Sequence, residues 1–241
     1  MKVTERWYSD RLGRDIAVAR WGTYGTPVLL FPTAGGDAEE VERNGLIAHV
    51  QPLIEAGRAK LYSCDSVAGQ FMLERAGSTQ DRYALFNRFH QAVAEEVLPA
   101  IFSDCGGRLP VITAGASIGA FNALATLCRY PQLINAAICM SGTYTLESFI
   151  GGQFTDDLYY ASPLHFLPGL DGEALETLRR RMVVLASGSG AWEDVGESWR
   201  VAEVLGDKGI PNRVDDWGPG YAHDWPTWFE MLPLYLDELL P

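Results

Sequence analysis

Leu109 to Arg129, LPVITAGASIGAFNALATLCR, is the stretch on which the reading of this chain turns. Its first six residues are mostly apolar and include the β-branched Val111 and Ile112, which suits a strand buried on both faces. Phe121, Leu124, Ala125 and Cys128 then recur at i, i+3, i+4 and i+7, predicting a helix with an apolar stripe that Pro131 stops. Between strand and helix lies Gly115-Ala116-Ser117-Ile118-Gly119.

This is the G-x-S-x-G elbow, a tight strand-to-helix turn that raises the serine hydroxyl above the edge of a sheet. Glycine on either side leaves room where a side chain would collide with the neighbouring strand and helix. At a helix N-terminus, free backbone N–H groups and the macrodipole favour a negative charge developing beside Ser117. The pattern points to nucleophilic catalysis, which also requires oxyanion donors, a base and an acid.

Upstream, Val28–Phe31 reads as an inner strand leading into Pro32-Thr33-Ala34-Gly35-Gly36-Asp37. Acyl transfer needs two backbone N–H donors aimed at a tetrahedral oxyanion. In an elbow architecture one follows the nucleophile, here Ile118, and the other comes from the loop after the third strand, here Ala34 with Thr33 next. Asp37 is expected to cap a helix to about Glu55, with Pro52 breaking or kinking it. Glu5–Tyr8 and Asp15–Arg20 read as a hairpin, and Ala59–Cys64 as a strand whose following Asp65-Ser66-Val67-Ala68-Gly69 is expected at the pocket floor. Asp81–Phe102 has helical spacing and ends at Gly106-Gly107.

Downstream, Leu133–Met140 is a further strand. Residues 141–170 are irregular, with Gly142, Gly151, Gly152, Pro163 and Pro168 among Phe149, Phe154, Tyr159, Tyr160 and Phe166. This segment is the candidate cap, its aromatics expected to line an acyl or aryl pocket. Glu173–Arg180 reads as helix, Met182–Ala186 as strand, Glu197–Leu205 as helix, Arg213–Trp217 as the last strand, and Pro226–Leu239 as a closing helix bent at Pro233. About eight strands alternating with helices, and no repeat, predict one domain with a mostly parallel, helix-covered sheet.

A serine hydroxyl needs a base, and histidine has the pKa for that task near neutrality. Of four histidines, His49 and His90 fall in predicted helices and His165 in the cap segment. His223 lies between the last strand and the last helix, where the elbow fold carries its base, and the order serine, acid, histidine follows. The acid should leave the strand two before the end, beyond Ala186. Glu193 is favoured and Asp194 is second, with Glu197, Asp215 and Asp216 behind them.

The 241 residues carry a net charge of −12, which argues against binding a phosphate backbone. No stretch is long and apolar enough to span a membrane, and the first twenty residues show no signal peptide, so the expected setting is cytoplasmic. Cys64, Cys105, Cys128 and Cys139 are too dispersed for a zinc site or a disulfide framework and read as buried thiols.

GASIGAFNA, ASGSGAWE and the run His223-Asp224-Trp225-Pro226-Thr227-Trp228 together resemble the esterase D-like esterases of the α/β-hydrolase superfamily. The resemblance extends from RWYSDRLGRD through VLLFPTAGG and YSCDSVAG to HDWPTW. It implies an α/β-hydrolase fold and a serine carboxylic-ester hydrolase without metal or cofactor, acting on a small or medium ester. The same acyl-enzyme would serve an acyltransferase, and a hydrolase-fold binding protein is the remaining alternative. One departure falls at the acid: many relatives have Asp soon after the Gly of its loop, whereas here Ala191 and Trp192 intervene before Glu193.

Overall fold

A computed structural model of the chain describes residues 2–74, 77–151 and 154–241. Eight strands form one sheet: β1 Lys2–Ser9, β2 Arg14–Trp21, β3 Thr26–Phe31, β4 Ala59–Cys64, β5 Val111–Ala116, β6 Ile134–Met140, β7 Met182–Ser187 and β8 Asn212–Asp216. The spatial order is β1-β2-β4-β3-β5-β6-β7-β8. The β1–β2 hairpin is antiparallel and pairs antiparallel onto β4, and every pairing from β4 to β8 is parallel.

Parallel strands need helical crossovers, so both faces of this sheet are covered and its inner strands are mostly apolar, with Lys60, Ser63 and Thr113 among their buried exceptions. In β3, Val28 and Leu30 pack on one face and Leu29 and Phe31 on the other, all buried, following the period of two. At ~1.5–3 kcal/mol for each large apolar side chain removed from water, these two cores dominate the drive to fold. One face carries the helix Leu46–Glu55 and the closing helix Trp225–Leu239; the other carries Thr79–Ala92, Ile118–Arg129 and Val195–Asp207.

Several elements depart from the sequence expectations. The helix after Asp37 is two, Glu40–Arg43 and Leu46–Glu55, and the break is at Gly45 (φ 90°) while Pro52 lies inside the second. Gly45 tolerates the left-handed conformation, and a proline in the later turns of a helix can forgo its N–H bond where neighbouring packing holds the rod. The predicted Asp81–Phe102 helix runs as Thr79–Ala92, a π-helical turn Val93–Val97, and Leu98–Asp104. The helix after Ser117 is buried on every side from Ile118 to Cys128, not along one stripe. The helices packed over it bury Asn122 as well, and its Oδ1 pairs with His90 Nε2 at 3.0 Å. Segment 141–170 forms short turns of helix, Leu146–Ile150, Asp156–Ala161, Pro163–Phe166 and Leu167–Gly169. Gly152 and the Phe149 side chain lie outside the described residues.

Candidate active site

Because β3, β5, β6, β7 and β8 run parallel, their carboxyl ends share one edge of the sheet. That edge receives the Pro32–Asp37 loop, Ser117, Ser141, the 188–194 loop and the 217–224 loop. Open α/β sheets place ligands at this edge because the connecting loops diverge there.

Ser117 sits between β5 and the helix Ile118–Arg129 with φ 58° and ψ −124°, a conformation that costs a non-glycine residue of order 1–3 kcal/mol. The surrounding glycines hold the turn closed. A Cβ on Gly115 would come 2.4 Å from the carbonyl carbon of Gly119, and one on Gly119 would come 2.3 Å from Phe31 O. Backbone bonds fix the rest: Ser117 N–H donates to Met140 O at 3.0 Å, and Thr143 N–H to Ser117 O at 3.3 Å. Ile118 opens the helix, so its N–H has no partner within that helix.

The loop after β3 lies against the helix Val67–Glu74, where a Cβ on Gly69 would come 2.6 Å from Ala34 O. Thr33 is committed elsewhere: its N–H donates to Glu40 Oε2 at 2.8 Å and its hydroxyl to Glu40 Oε1 at 2.6 Å. Of the two loop donors considered, Ala34 N–H is therefore the one without a bond among the described residues. Asp65 belongs to the scaffold and not to the cleft floor. Its carboxylate accepts from Ala17 N–H at 2.8 Å and Ala38 N–H at 2.9 Å, tying β2 to this loop.

On the other flank, the acid loop and the histidine loop are joined by main-chain bonds from Ser189 N–H to Gly218 O (3.0 Å), Gly190 N–H to Tyr221 O (2.9 Å) and His223 N–H to Ala191 O (3.0 Å). Gly188 and Gly190 permit this: a Cβ on either would meet Tyr221 O, at 2.0 and 2.6 Å. The two residues before Glu193 complete a turn closed by Glu193 N–H to Gly190 O at 3.3 Å, with Trp192 at φ 65°. This reversal returns the Glu193 side chain to the histidine, which accommodates the two extra residues noted in the sequence.

Glu193 Oε2 lies 3.5 Å from His223 Nδ1, and the carboxylate is only 1% exposed. Ser141 Oγ donates to Glu193 Oε1 at 2.5 Å, and the Ser187 hydroxyl, whose single proton is shared between Gly188 O at 3.0 Å and Glu193 Oε2 at 3.1 Å, stands beside the other oxygen, so the buried carboxylate faces hydroxyls on both sides. The His223 ring stands nearly perpendicular to the indole of Trp228, centroids 5.4 Å apart at 84°. Asp194 points away. It caps the helix Val195–Asp207, accepting from Gly196 N–H at 2.9 Å. Asp215 pairs with Arg213 and Asp216 accepts from Gly218 N–H. Glu197 binds Tyr144 N–H (2.7 Å), Thr145 N–H (2.8 Å) and the Thr145 hydroxyl (2.7 Å), anchoring the loop that contacts Ser117.

Glu193 and His223 are thus in contact, and Ser117 stands on the same sheet edge without a hydrogen bond to His223 among the described residues. In unliganded sites that bond commonly tightens only in the substrate complex. A cleft opens over His223, Glu193, Asp194, Glu197 and Trp192 and over Ser141, Gly142, Thr143 and Thr145. Its walls from residues 141–145 are the small Ser141, Gly142, Thr143 and Thr145; Phe154 and Tyr160, expected in a pocket, are exposed instead.

The other histidines have structural surroundings. His49 bonds Gly45 O and stacks on Phe229, His165 pairs with Glu147 at 3.0 Å, and His90 is fully buried with its pKa pushed down to about 3 by burial and the charge of Arg129. Burial raises the thiol pKa of Cys64, Cys128 and Cys139, so these are inert core thiols. Among the described residues, no three His, Cys, Asp or Glu side chains converge as metal ligands. Sequence reading passed over Ser141, Ser187 and Glu40; the two serines lie at the ends of β6 and β7, which was the one available signal, whereas Glu40 opens the short helix after the Pro32–Asp37 loop.

The parallel sheet with its antiparallel hairpin, the strained serine turn after β5, and an acid and a histidine after β7 and β8 define the α/β-hydrolase fold. Known structures share it. A ferulic acid esterase matches 99% of this chain and 96% of its own, with TM-score 0.75 and 17% identity. S-formylglutathione hydrolase from Staphylococcus aureus matches 99% and 95%, with TM-score 0.65 and 12% identity. The enterobactin esterase from Shigella flexneri matches 99% of this chain and 59% of its own, with TM-score 0.63 and 20% identity. No family model and no curated protein matches the sequence.

Proposed function

We propose that this chain is a serine carboxylic-ester hydrolase with Ser117 as nucleophile, His223 as base and Glu193 as the acid of a catalytic triad. The observation that carries the reading is the buried Glu193 carboxylate against His223 Nδ1, on the sheet edge that also presents the strained Ser117. With Nδ1–H facing Glu193, Nε2 is free to take the proton of Ser117 as its Oγ attacks the ester carbonyl. Ile118 and Ala34 N–H groups form the oxyanion hole. Collapse of the tetrahedral intermediate expels the alcohol, which takes the proton from His223, and water then repeats the sequence on the acyl-enzyme.

The substrate class is a small or medium ester, and the cleft on the His223 side receives the leaving alcohol because His223 must protonate it. Likeness in shape to esterases supports ester chemistry, and the net charge of −12 disfavours nucleic acid as a partner. The chain is read as one catalytic domain, with residues 141–170 as its cap and no cofactor required. Among the described residues, no helix is long and apolar enough to cross a membrane. Four dispersed thiols suit a reducing, cytoplasmic setting.

The test is hydrolysis of 4-nitrophenyl esters of graded acyl length, together with labelling by a fluorophosphonate and peptide mapping. The expected outcome is turnover, an adduct on Ser117, and loss of both in Ser117→Ala. Turnover retained in that variant would refute the serine mechanism.

A further inference from the structure

The run HDWPTW contains a second tryptophan, Trp228, to which the proposed reaction gives no task. Trp228 is 4% exposed, and its indole N–H donates to Ser141 Oγ at 2.9 Å. Ser141 is itself 2% exposed and held at the end of β6 by its own N–H, which donates to Ala186 O at 2.7 Å. An indole nitrogen can only donate, so the Ser141 oxygen must accept, and its single proton is left for Glu193 Oε1 at 2.5 Å. The relay has one direction, from indole N–H through hydroxyl to carboxylate. The same indole stands nearly perpendicular to the His223 ring.

We infer that Trp228 is a positioning residue of the active site, orienting the Ser141 hydroxyl so that Glu193 is held toward His223. This rests on the serine-hydrolase reading. Without the indole N–H, the Ser141 hydroxyl is free to rotate toward other acceptors, and Glu193 loses its shortest bond. The remaining charged and titratable groups around Glu193 do not replace it. Asp194 is turned to Gly196 N–H, Glu197 is engaged by the 144–145 backbone and Arg200, and His223 is the group being positioned.

The test is a double-mutant cycle on 4-nitrophenyl ester hydrolysis with Trp228→Phe, Ser141→Ala and the pair. Removing a hydrogen bond of this charge-assisted relay is expected to lower kcat by about tenfold or more in each single variant while KM stays within about twofold. The pair is expected to be no more than about threefold slower than Ser141→Ala, because both changes interrupt one relay. Independent, multiplying losses, a loss confined to KM, or an unchanged kcat in Trp228→Phe would overturn the inference. Should Trp228→Phe fail to fold, 3-benzothienylalanine at position 228 replaces only the N–H by sulfur, and the same loss of kcat is expected. Wild-type turnover that depends on Ser117 but not on the 228 N–H would sink this inference alone. Turnover independent of Ser117 would sink the underlying reading with it.

Discussion

Replacing Glu193 by Gln changes one oxygen into an amide nitrogen and otherwise keeps the side chain. The carboxylate is 1% exposed, with Oε1 taking the Ser141 proton and Oε2 facing Ser187 and His223 Nδ1. If the amide oxygen keeps the Oε1 position, the NH2 group faces Nδ1 and requires it to be an acceptor. His223 then carries its proton on Nε2, where it can no longer accept one from Ser117. If the amide is reversed, the Ser141 proton is left without its acceptor in a buried site, at a cost of ~1–3 kcal/mol. The imidazolium also loses its counter-charge. At 3.5 Å and an effective dielectric constant near 20, that attraction is at most about 5 kcal/mol. At ~1.4 kcal/mol per tenfold, the expected fall in kcat is ~10²- to 10⁴-fold, with KM changing little. Asp194→Asn keeps the oxygen that caps Gly196 N–H and should lower kcat by less than ~10-fold. The assay is steady-state hydrolysis of a 4-nitrophenyl ester near neutral pH, with circular dichroism to confirm folding. A loss below ~10-fold for Glu193→Gln, or a larger one for Asp194→Asn, would refute the assignment.

Three further outcomes follow from the geometry. Ser117→Gly should abolish hydrolysis yet raise the melting temperature by a few degrees, about 2–4 °C per kcal/mol of relieved strain, because glycine accepts φ 58° freely; an unchanged or lower melting temperature counts against the strain. Gly119→Ala should cut the yield of soluble protein or destabilise it by more than ~3 kcal/mol, since the new methyl would stand 2.3 Å from Phe31 O; wild-type stability in urea denaturation would contradict the elbow geometry. His90, with a folded pKa of about 3 against ~6.5 in the unfolded chain, leaves the unfolded state binding the extra proton between those values. Its contribution to stability is therefore full above about pH 6.5 and falls by up to ~1.4 kcal/mol per unit as pH drops toward 3. His90→Gln should lose about 2 kcal/mol less than wild type between pH 7 and pH 5 in urea titrations, and equal losses would show that another group carries the acid sensitivity.

Much of this molecule is written in local sequence. The apolar run Val28–Phe31, the strand Ala59–Cys64 and the elbow at Ser117 were legible because burial on both sheet faces demands continuous apolar residues and the serine turn demands glycine at both flanks. The place of His223 between the last strand and the closing helix was legible because the order of the elements is read along the chain. What the sequence left open was which of two adjacent carboxylates faces His223, and which backbone N–H of the Pro32–Asp37 loop stays free. Those are decided by partners distant along the chain. Glu193 is turned inward by hydroxyls from the ends of β6 and β7, Asp194 is drawn outward by the helix it caps, and Thr33 is claimed by Glu40. The aromatics of 141–170 read as pocket lining for the same reason: hydrophobicity records a preference for burial but not the direction in which a loop turns. Periodicity is a property of neighbours in sequence, whereas a hydrogen bond between residues 141 and 193 or 141 and 228 exists only once the sheet has brought the strand ends to one edge.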